Sequence, residues 1–357
     1  MNFNHISIEI QSSLLDPSPK FSKRSLTLMA ETITQKDLAE HLGISVTTVS
    51  MAMRNDSRIS EPIREKVHGA AIEMGYTLPI RQNPAPEMQH FVFINPWGGG
   101  NEFYSNVLSG AGRICQRNQI GLRFSQIDEA TRQFMVHHEQ IDTFLFAGSI
   151  DEQIIRQFIK LNRPIVLIDN NLPELNLDRV LIDNTRSVYR TVMRLAEAGH
   201  KKIAFIKGPD HPSFVERLAG YRSAMQELGL PTQELPQEIT SFKNGQEYMA
   251  QWIKEFGKPA FTALIGCNDE ATIGSMRALQ EFGLRIPEDI SMVGFDDISA
   301  ATITNPGLST HHVHRELMGE MAVRMLIDRM ANPNRPNMAL TIETTYIERG
   351  STMRLQP

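Results

Sequence analysis

From residue 89 onward the chain alternates short apolar runs with helical patterns, and nothing else in it constrains the fold as strongly. The runs are HFVFIN, GLRFSQI, DTFLFAG, PIVLIDN, RVLIDN, KIAFIKG, TALIGCN and ISMVGFDD, and each reads as a strand. Helical patterns intervene at Tyr104 to Asn118, Asp151 to Leu161, Ser187 to Ala198, Val215 to Leu228 and Ala271 to Phe282. Such alternation builds parallel sheets flanked by helices. About 265 residues of it suit two lobes.

In open α/β sheets, ligands bind beyond the C-terminal ends of the strands. That rule selects Trp97 after the first strand, Asp169 and Asn170 after PIVLI, Asn268 and Asp269 after TALIGC, and Asp296 after ISMVGF. Phe103 sits near the first loop. Asp269 can equally cap the helix that follows it, Asp296 can be structural, and Trp97 can simply cover a lobe edge. "WGGGN", from Trp97 to Asn101, is not a dinucleotide-binding G-x-G-x-x-G and reads as a rim loop. In "HHVH" strand alternation lets His312 and His314 converge while His311 cannot, too few ligands for a metal. No G-x-S-x-G or H-E-x-x-H is present, so no catalytic residue, metal or cofactor is expected.

The N-terminal part reads differently. Thr34 with Asp37 can open a helix carrying Leu38, Ala39 and Leu42 on its apolar face. Gly43 breaks that helix, Ile44 packs the turn, and Ser45 caps a second helix from Val46 to about Met53. Ser60 caps a third, with Pro62 in its first turn, Gly75 past its end and a stripe of Ile63, Val67, Ala70, Ala71 and Met74. Two short helices around a Gly-containing turn, closed by a third, form a helix-turn-helix unit or a generic three-helix bundle.

Composition limits the partners. Lys and Arg total 36 against 41 Asp and Glu, a net charge of -5 with pI ≈ 6.1, so no global basic surplus advertises nucleic acid. Cys115 and Cys267 make no disulfide framework and suit a reducing compartment. No apolar run approaches a membrane span, and the first residues lack the apolar core of a secretory signal, which points to the cytoplasm. Residues 1–29 fit no fold pattern. They are either a disordered extension or a start placed ahead of a second methionine, Met29.

The wording of the head is specific. "ITQKDLAEHLGISVTTVSMAMRNDSRISEPIREKVHGAAIEMGY" resembles the head of the lactose/galactose repressor (LacI–GalR) family through D-L-A, G-I-S, T-T-V-S, the R-I-S and R-E-K-V runs and the closing G-Y. "RLAEAGHKKIAFIKGP", "ERLAGYRSAMQELGL", "CNDEATIGSMRALQEFGLRIPEDISMVGFDD" and "NPGLSTHHV" resemble that family's effector-binding body, so the likeness runs over about residues 31 to 352. It implies that the second helix enters the major groove of DNA, with Val46, Thr47 and Met51 facing bases and Ser45, Thr48 and Ser50 bonding phosphates. Ala39 and Val49 fall on core positions. Met51 stands where many relatives carry a polar reader, which leaves apolar contact and the hydroxyl and methyl of Thr47. Between residues 31 and 82 six basic residues face seven acidic ones, so non-specific affinity should be low. Arg54 and Arg58 are the best-placed phosphate partners.

Relatives often carry A-R-x-L between head and body, a hinge helix that wedges a leucine into the minor groove. Here the stretch is "LPIRQNPAPEM", and Pro84 and Pro86 favour an extended connector over a helix. Ile80 is the alternative wedge. In the body, Arg217 and Phe242 fall on effector-contact positions by resemblance, as do Val313 and Arg315 for some relatives. Carboxylates and a guanidinium can hold vicinal hydroxyls, and Trp97 or Phe242 can stack on a sugar face.

The expected architecture is a small all-α helix-turn-helix head, residues 30–77, a linker at 78–88, and an α/β periplasmic-binding-protein-like body of two lobes with parallel sheets, 89–357. The expected function is a cytoplasmic transcriptional regulator, not an enzyme. It would act as a homodimer on a double-stranded DNA operator, away from any membrane, repressing carbohydrate-utilisation genes under allosteric control by a sugar or sugar derivative. A purine-like effector is the nearest rival. A periplasmic-type binding protein with a vestigial head would need a signal sequence.

Overall fold

The computed structural model describes residues 33–53, 56, 58–74, 76, 89–96, 101–127, 141–235 and 238–355. The extension, the 78–88 linker, Arg54 and Trp97 lie outside them. The chain divides into two compact units that meet between Ala85 and Pro86.

The first unit holds α1 (Gln35–Leu42), α2 (Val46–Met53) and α3 (Glu61–Glu73). A complete capping box opens α1: the Thr34 hydroxyl accepts from the Asp37 N–H, and the Asp37 carboxylate accepts from the Thr34 N–H at 2.6 Å. Gly43 ends it at φ 65°, the left-handed conformation that glycine adopts without a Cβ clash. Leu38, Ala39, Val49, Ala52, Val67, Ala70 and Ala71 are buried and form the core. Ile63 departs from the expected stripe: it is 40% exposed, because so small a core ends before the first turn of α3.

The second unit runs β1 (His90–Asn95), α4 (Glu102–Arg117), β2 (Gly121–Gln126), β3 (Thr143–Ala147), α5 (Glu152–Ile159), β4 (Ile165–Ile168), β5 (Asp178–Ile182), α6 (Asn184–Glu197), β6 (Ile203–Ile206) and α7 (Pro212–Glu227). It continues with β7 (Gln233–Leu235), α8 (Phe242–Phe256), β8 (Ala263–Ile265), α9 (Asp269–Glu281), β9 (Ser291–Val293), α10 (Ser299–Ile303), β10 (Thr310–His312), α11 (Arg315–Ala331), β11 (Ala339–Ile342) and β12 (Thr345–Ile347). All eight predicted strands form. Among the described residues one sheet has the order β11-β5-β4-β3-β1-β2 and a second β7-β6-β8-β9, and every pairing in both is parallel.

The lobes are not consecutive in sequence. After the second sheet the chain returns, and β11 pairs with β5 in the first. The returning α11 lies against α4 so closely that a Cβ on Gly110 would fall on the Glu316 carbonyl, and one on Gly319 on the Val107 carbonyl. Buried Asp178 accepts paired hydrogen bonds from both Arg329 and Arg335, tying the end of α11 to β5. The antiparallel pair β10-β12 forms beside these crossings.

Candidate functional site

In the head, α2 presents its first turn. Ser45, Val46 and Thr47 are exposed, while Thr48, Ser50 and Met51 are half-buried. The Ser45 hydroxyl accepts from the Thr48 N–H at 3.0 Å and shares a 2.8 Å hydrogen bond with the Thr48 hydroxyl. Val49 and Ala52 face inward, so the register of the helix sends Val46 and Thr47 outward. Arg58 is exposed, but its guanidinium makes a bidentate pair with Asp56 at 3.0 and 2.8 Å. This expected phosphate partner therefore starts with a competitor.

In the body, a cavity of about 430 Å³ opens between the C-terminal ends of the two sheets. Of the residues named from sequence, Phe103, Asp169, Arg217, Asn268 and Asp296 line it together. Arg217, nearly fully buried, donates to Asn184 Oδ1 at 2.9 Å, to the Cys267 carbonyl at 2.5 Å and to Asp296 Oδ1 at 3.4 Å. Burial pushes the Asp296 carboxyl up to about 6 against the pull of Arg217. Asp169 accepts from the Tyr104 hydroxyl at 2.9 Å and from the Ser213 hydroxyl at 2.6 Å. Asp169 and Asp296 sit at φ 54° and 113°, backbone that L-residues seldom adopt and that is concentrated at binding sites.

Five expected residues are not brought to the cavity: Asp269, Phe242, Asn170, Val313 and Arg315. Asp269 is fully buried, with Oδ1 accepting from the Thr310 hydroxyl at 2.6 Å and Oδ2 from the Ile298 N–H at 3.0 Å. It ties α9 to the crossing strand because a carboxylate behind the helix start finds donors there. Phe242, the first residue of α8, is 43% exposed and outside the lining. Asn170 donates to the Ile150 carbonyl, Val313 is buried, and Arg315 donates to the Asp297 carbonyl. His312 and His314 do converge, with ring centroids 4.9 Å apart, yet among the described residues no group of three or more His, Cys, Asp or Glu could hold a metal.

Other lining residues were missed: Glu102, Tyr104, Asp210, His211, Ser213, Phe214 and Glu270. Many of them stand on helix starts. The cap residues of α4, α7, α8 and α9, namely Asn101, His211, Ser241 and Asn268, all line the cavity. The lobes also touch at the rim, where Ser299 donates from its N–H and hydroxyl to Glu102 and Asn171 donates to Glu216.

A helix-turn-helix head on a body of two parallel-sheet lobes around a polar cleft defines a DNA-binding regulator with a ligand-responsive body. Residues 34–78 match the family of bacterial regulatory proteins, lacI family, and residues 192–352 match the periplasmic binding protein-like domain. The ribose operon repressor of Haemophilus influenzae is 29% identical over 338 residues, covering 90% of this chain and 99% of that protein. The HTH-type transcriptional repressor CytR of Escherichia coli is 29% identical over 344 residues, covering 90% and 97%. A LacI family transcriptional regulator from Enterococcus faecium, solved with bound ribose, aligns with a TM-score of 0.65 at 26% identity, over 75% of this chain and all of that one. This chain belongs to the lacI family of bacterial regulatory proteins. Among the described residues no helix is long and apolar enough to cross a membrane.

Proposed function

We propose that the chain is a cytoplasmic transcriptional repressor that binds a pseudo-palindromic operator as a homodimer and responds to a sugar or sugar derivative held in its cleft. One observation carries the reading: the same chain exposes Val46 and Thr47 on a helix-turn-helix head and encloses a buried Arg217–Asp296 pair between two lobes. The units are a head at 30–77, a linker at 78–88 and a body at 89–357. In the head, Val46, Thr47 and Met51 read base edges, while Ser45, Thr48, Ser50, Arg54 and Arg58 hold phosphates. In the cleft, Asp169, Arg217, Asn268 and Asp296 hold hydroxyls, and Phe103, with Trp97, covers an apolar sugar face.

Ligand contacts from both lobes favour one lobe arrangement over another. That shifts the spacing of paired heads, a coupling of about 1–3 kcal/mol. Ribose in a relative's name and in a neighbour's structure supports a sugar as the effector. Phe103 and Phe214 on the cleft wall give a second reading, a flat purine ring stacked between them.

The test is selection of duplexes from random DNA by the purified protein, with and without panels of sugars and purines. A recovered palindrome whose affinity moves with one compound supports the reading. No preferred duplex at low salt, whatever is added, defeats it.

A further inference from the structure

Carboxylates outnumber guanidinium groups around the cleft. Among the described lining residues there are five carboxylates, on Glu102, Asp169, Asp210, Glu270 and Asp296. The opposing guanidinium, Arg217, is paired with Asp296 and also donates to Asn184 and the Cys267 carbonyl. His211 adds no positive charge at neutral pH, because burial lowers its pKa below the ordinary 6.5.

Glu102 starts α4 in the first lobe and Glu270 lies in the first turn of α9 in the second. Glu270 feels Glu102 across the cleft, since its pKa is raised by burial first and by the charge of Glu102 next. Asp210 and Glu270 have no hydrogen-bond partner among the described residues, which leaves their oxygens as free acceptors at the mouth.

Helix N-termini are the usual refuge for an anion in such a cleft. Here the four that border it are blocked. Glu102 stands in the first turn of α4, and Glu270 in the first turn of α9. Pro212 removes a donor at the start of α7. The Ser241 hydroxyl already accepts from the Asn244 N–H in α8.

We propose that the cleft selects an uncharged or cationic polyhydroxylated ligand and rejects the same compound once it carries a phosphate or carboxylate. The proposal rests on the reading of the cleft as the effector site. An added phosphate would sit among five carboxylates, with Arg217 held by Asp296 and Arg315 by Glu102. A polyol finds acceptors for its hydroxyls, and an amino sugar finds carboxylates for its ammonium.

The experiment is calorimetric titration of the full-length protein with matched probes: D-ribose and D-ribose 5-phosphate, D-glucose and D-glucose 6-phosphate, adenosine and adenosine 5′-monophosphate, and D-glucosamine. In any pair that binds, the unphosphorylated member should be tighter by about a hundredfold or more. The double variant Glu102→Gln, Glu270→Gln should recover about tenfold or more of the affinity for the phosphorylated member. A phosphorylated probe that binds as tightly as its partner overturns the selectivity and leaves the cleft an effector site. A panel in which no probe binds overturns the effector reading itself.

Discussion

The guanidinium of Arg217 lies 3.7 Å over the ring of Phe295. Phe295 stacks in turn on His311, with ring centroids 5.1 Å apart, and His311 meets Tyr346 edge-on at 5.4 Å. The effector cleft is thus joined by packed rings to the crossing segments between the lobes, where two discrete arrangements would have to differ.

Replacing Arg217 with Ala removes the partner of Asp296 and the donors to Asn184 and Cys267. We expect a loss of about 3–5 kcal/mol in stability, read by urea melts. Arg217→Met keeps the apolar stem over Phe295 and should fold better. Both variants should bind the selected operator with an affinity that no longer changes with effector, read by fluorescence anisotropy.

Asp269 offers a pH signature. Burial first, then the charge of Asp296, pushes its carboxyl from the ordinary 3.8 up to about 8. A carboxyl raised in the folded chain stabilises fully below its unfolded value, and that contribution is lost as pH climbs through the folded one. The melting temperature of the wild type should therefore fall from about pH 4 to about pH 8 relative to Asp269→Asn, which cannot titrate. Parallel slopes would remove the carboxyl from the account.

Asp296 should shape ligand binding instead. With its carboxyl near 6, an uncharged polyol should bind with constant affinity above about pH 7 and more weakly below about pH 6, as the carboxylate gains a proton. Asp296→Asn should bind weakly at every pH, by calorimetry.

The Asp56–Arg58 pair is expected to restrain DNA affinity. Asp56→Asn should weaken its pair with Arg58, raise affinity for all duplexes alike, and steepen the salt dependence by about one unit in log–log slope. Thr47→Ala and Met51→Ala should instead change which bases are preferred, by about 1–3 kcal/mol at the positions touched. Random-duplex selection separates the two behaviours.

Packing predicts a contrast on the α4–α11 crossing. Gly319→Ala drives a methyl onto the Val107 carbonyl and should cost about 3 kcal/mol or more. Gly112→Ala, on α4, meets only the side-chain tip of Leu122 at 3.9 Å. It should leave stability unchanged or raise it by up to about 1 kcal/mol.

The strands and head helices were legible because their signals are local. A period of two or 3.6, a cap residue such as Thr34 or a left-handed Gly43 is written within a few residues. The strand-end rule found Asp169, Asn268 and Asp296, because the end of a parallel strand is fixed by the strand itself. The same rule proposed Asp269, one residue beyond Asn268, and could not see Thr310 and the Ile298 N–H drawing that carboxylate away from the cleft. Glu102, Tyr104, His211 and Glu270 were missed because they stand on helix starts, whose facing depends on how a helix lies on its sheet.

By itself, then, the sequence determined the alternating elements, the three-helix head, the family and, in the cleft, Asp169, Arg217, Asn268 and Asp296. Only the tertiary structure decided that the chain returns to complete the first lobe with α11 and β11, which cleft carboxylates are free, and that Arg58 is already held by Asp56. Most of these are relations between distant residues, such as Gly110 and Glu316, and the Arg58–Asp56 pair depends on side-chain rotamers. Their energies come from contact, burial and charge in three dimensions, which no local pattern encodes.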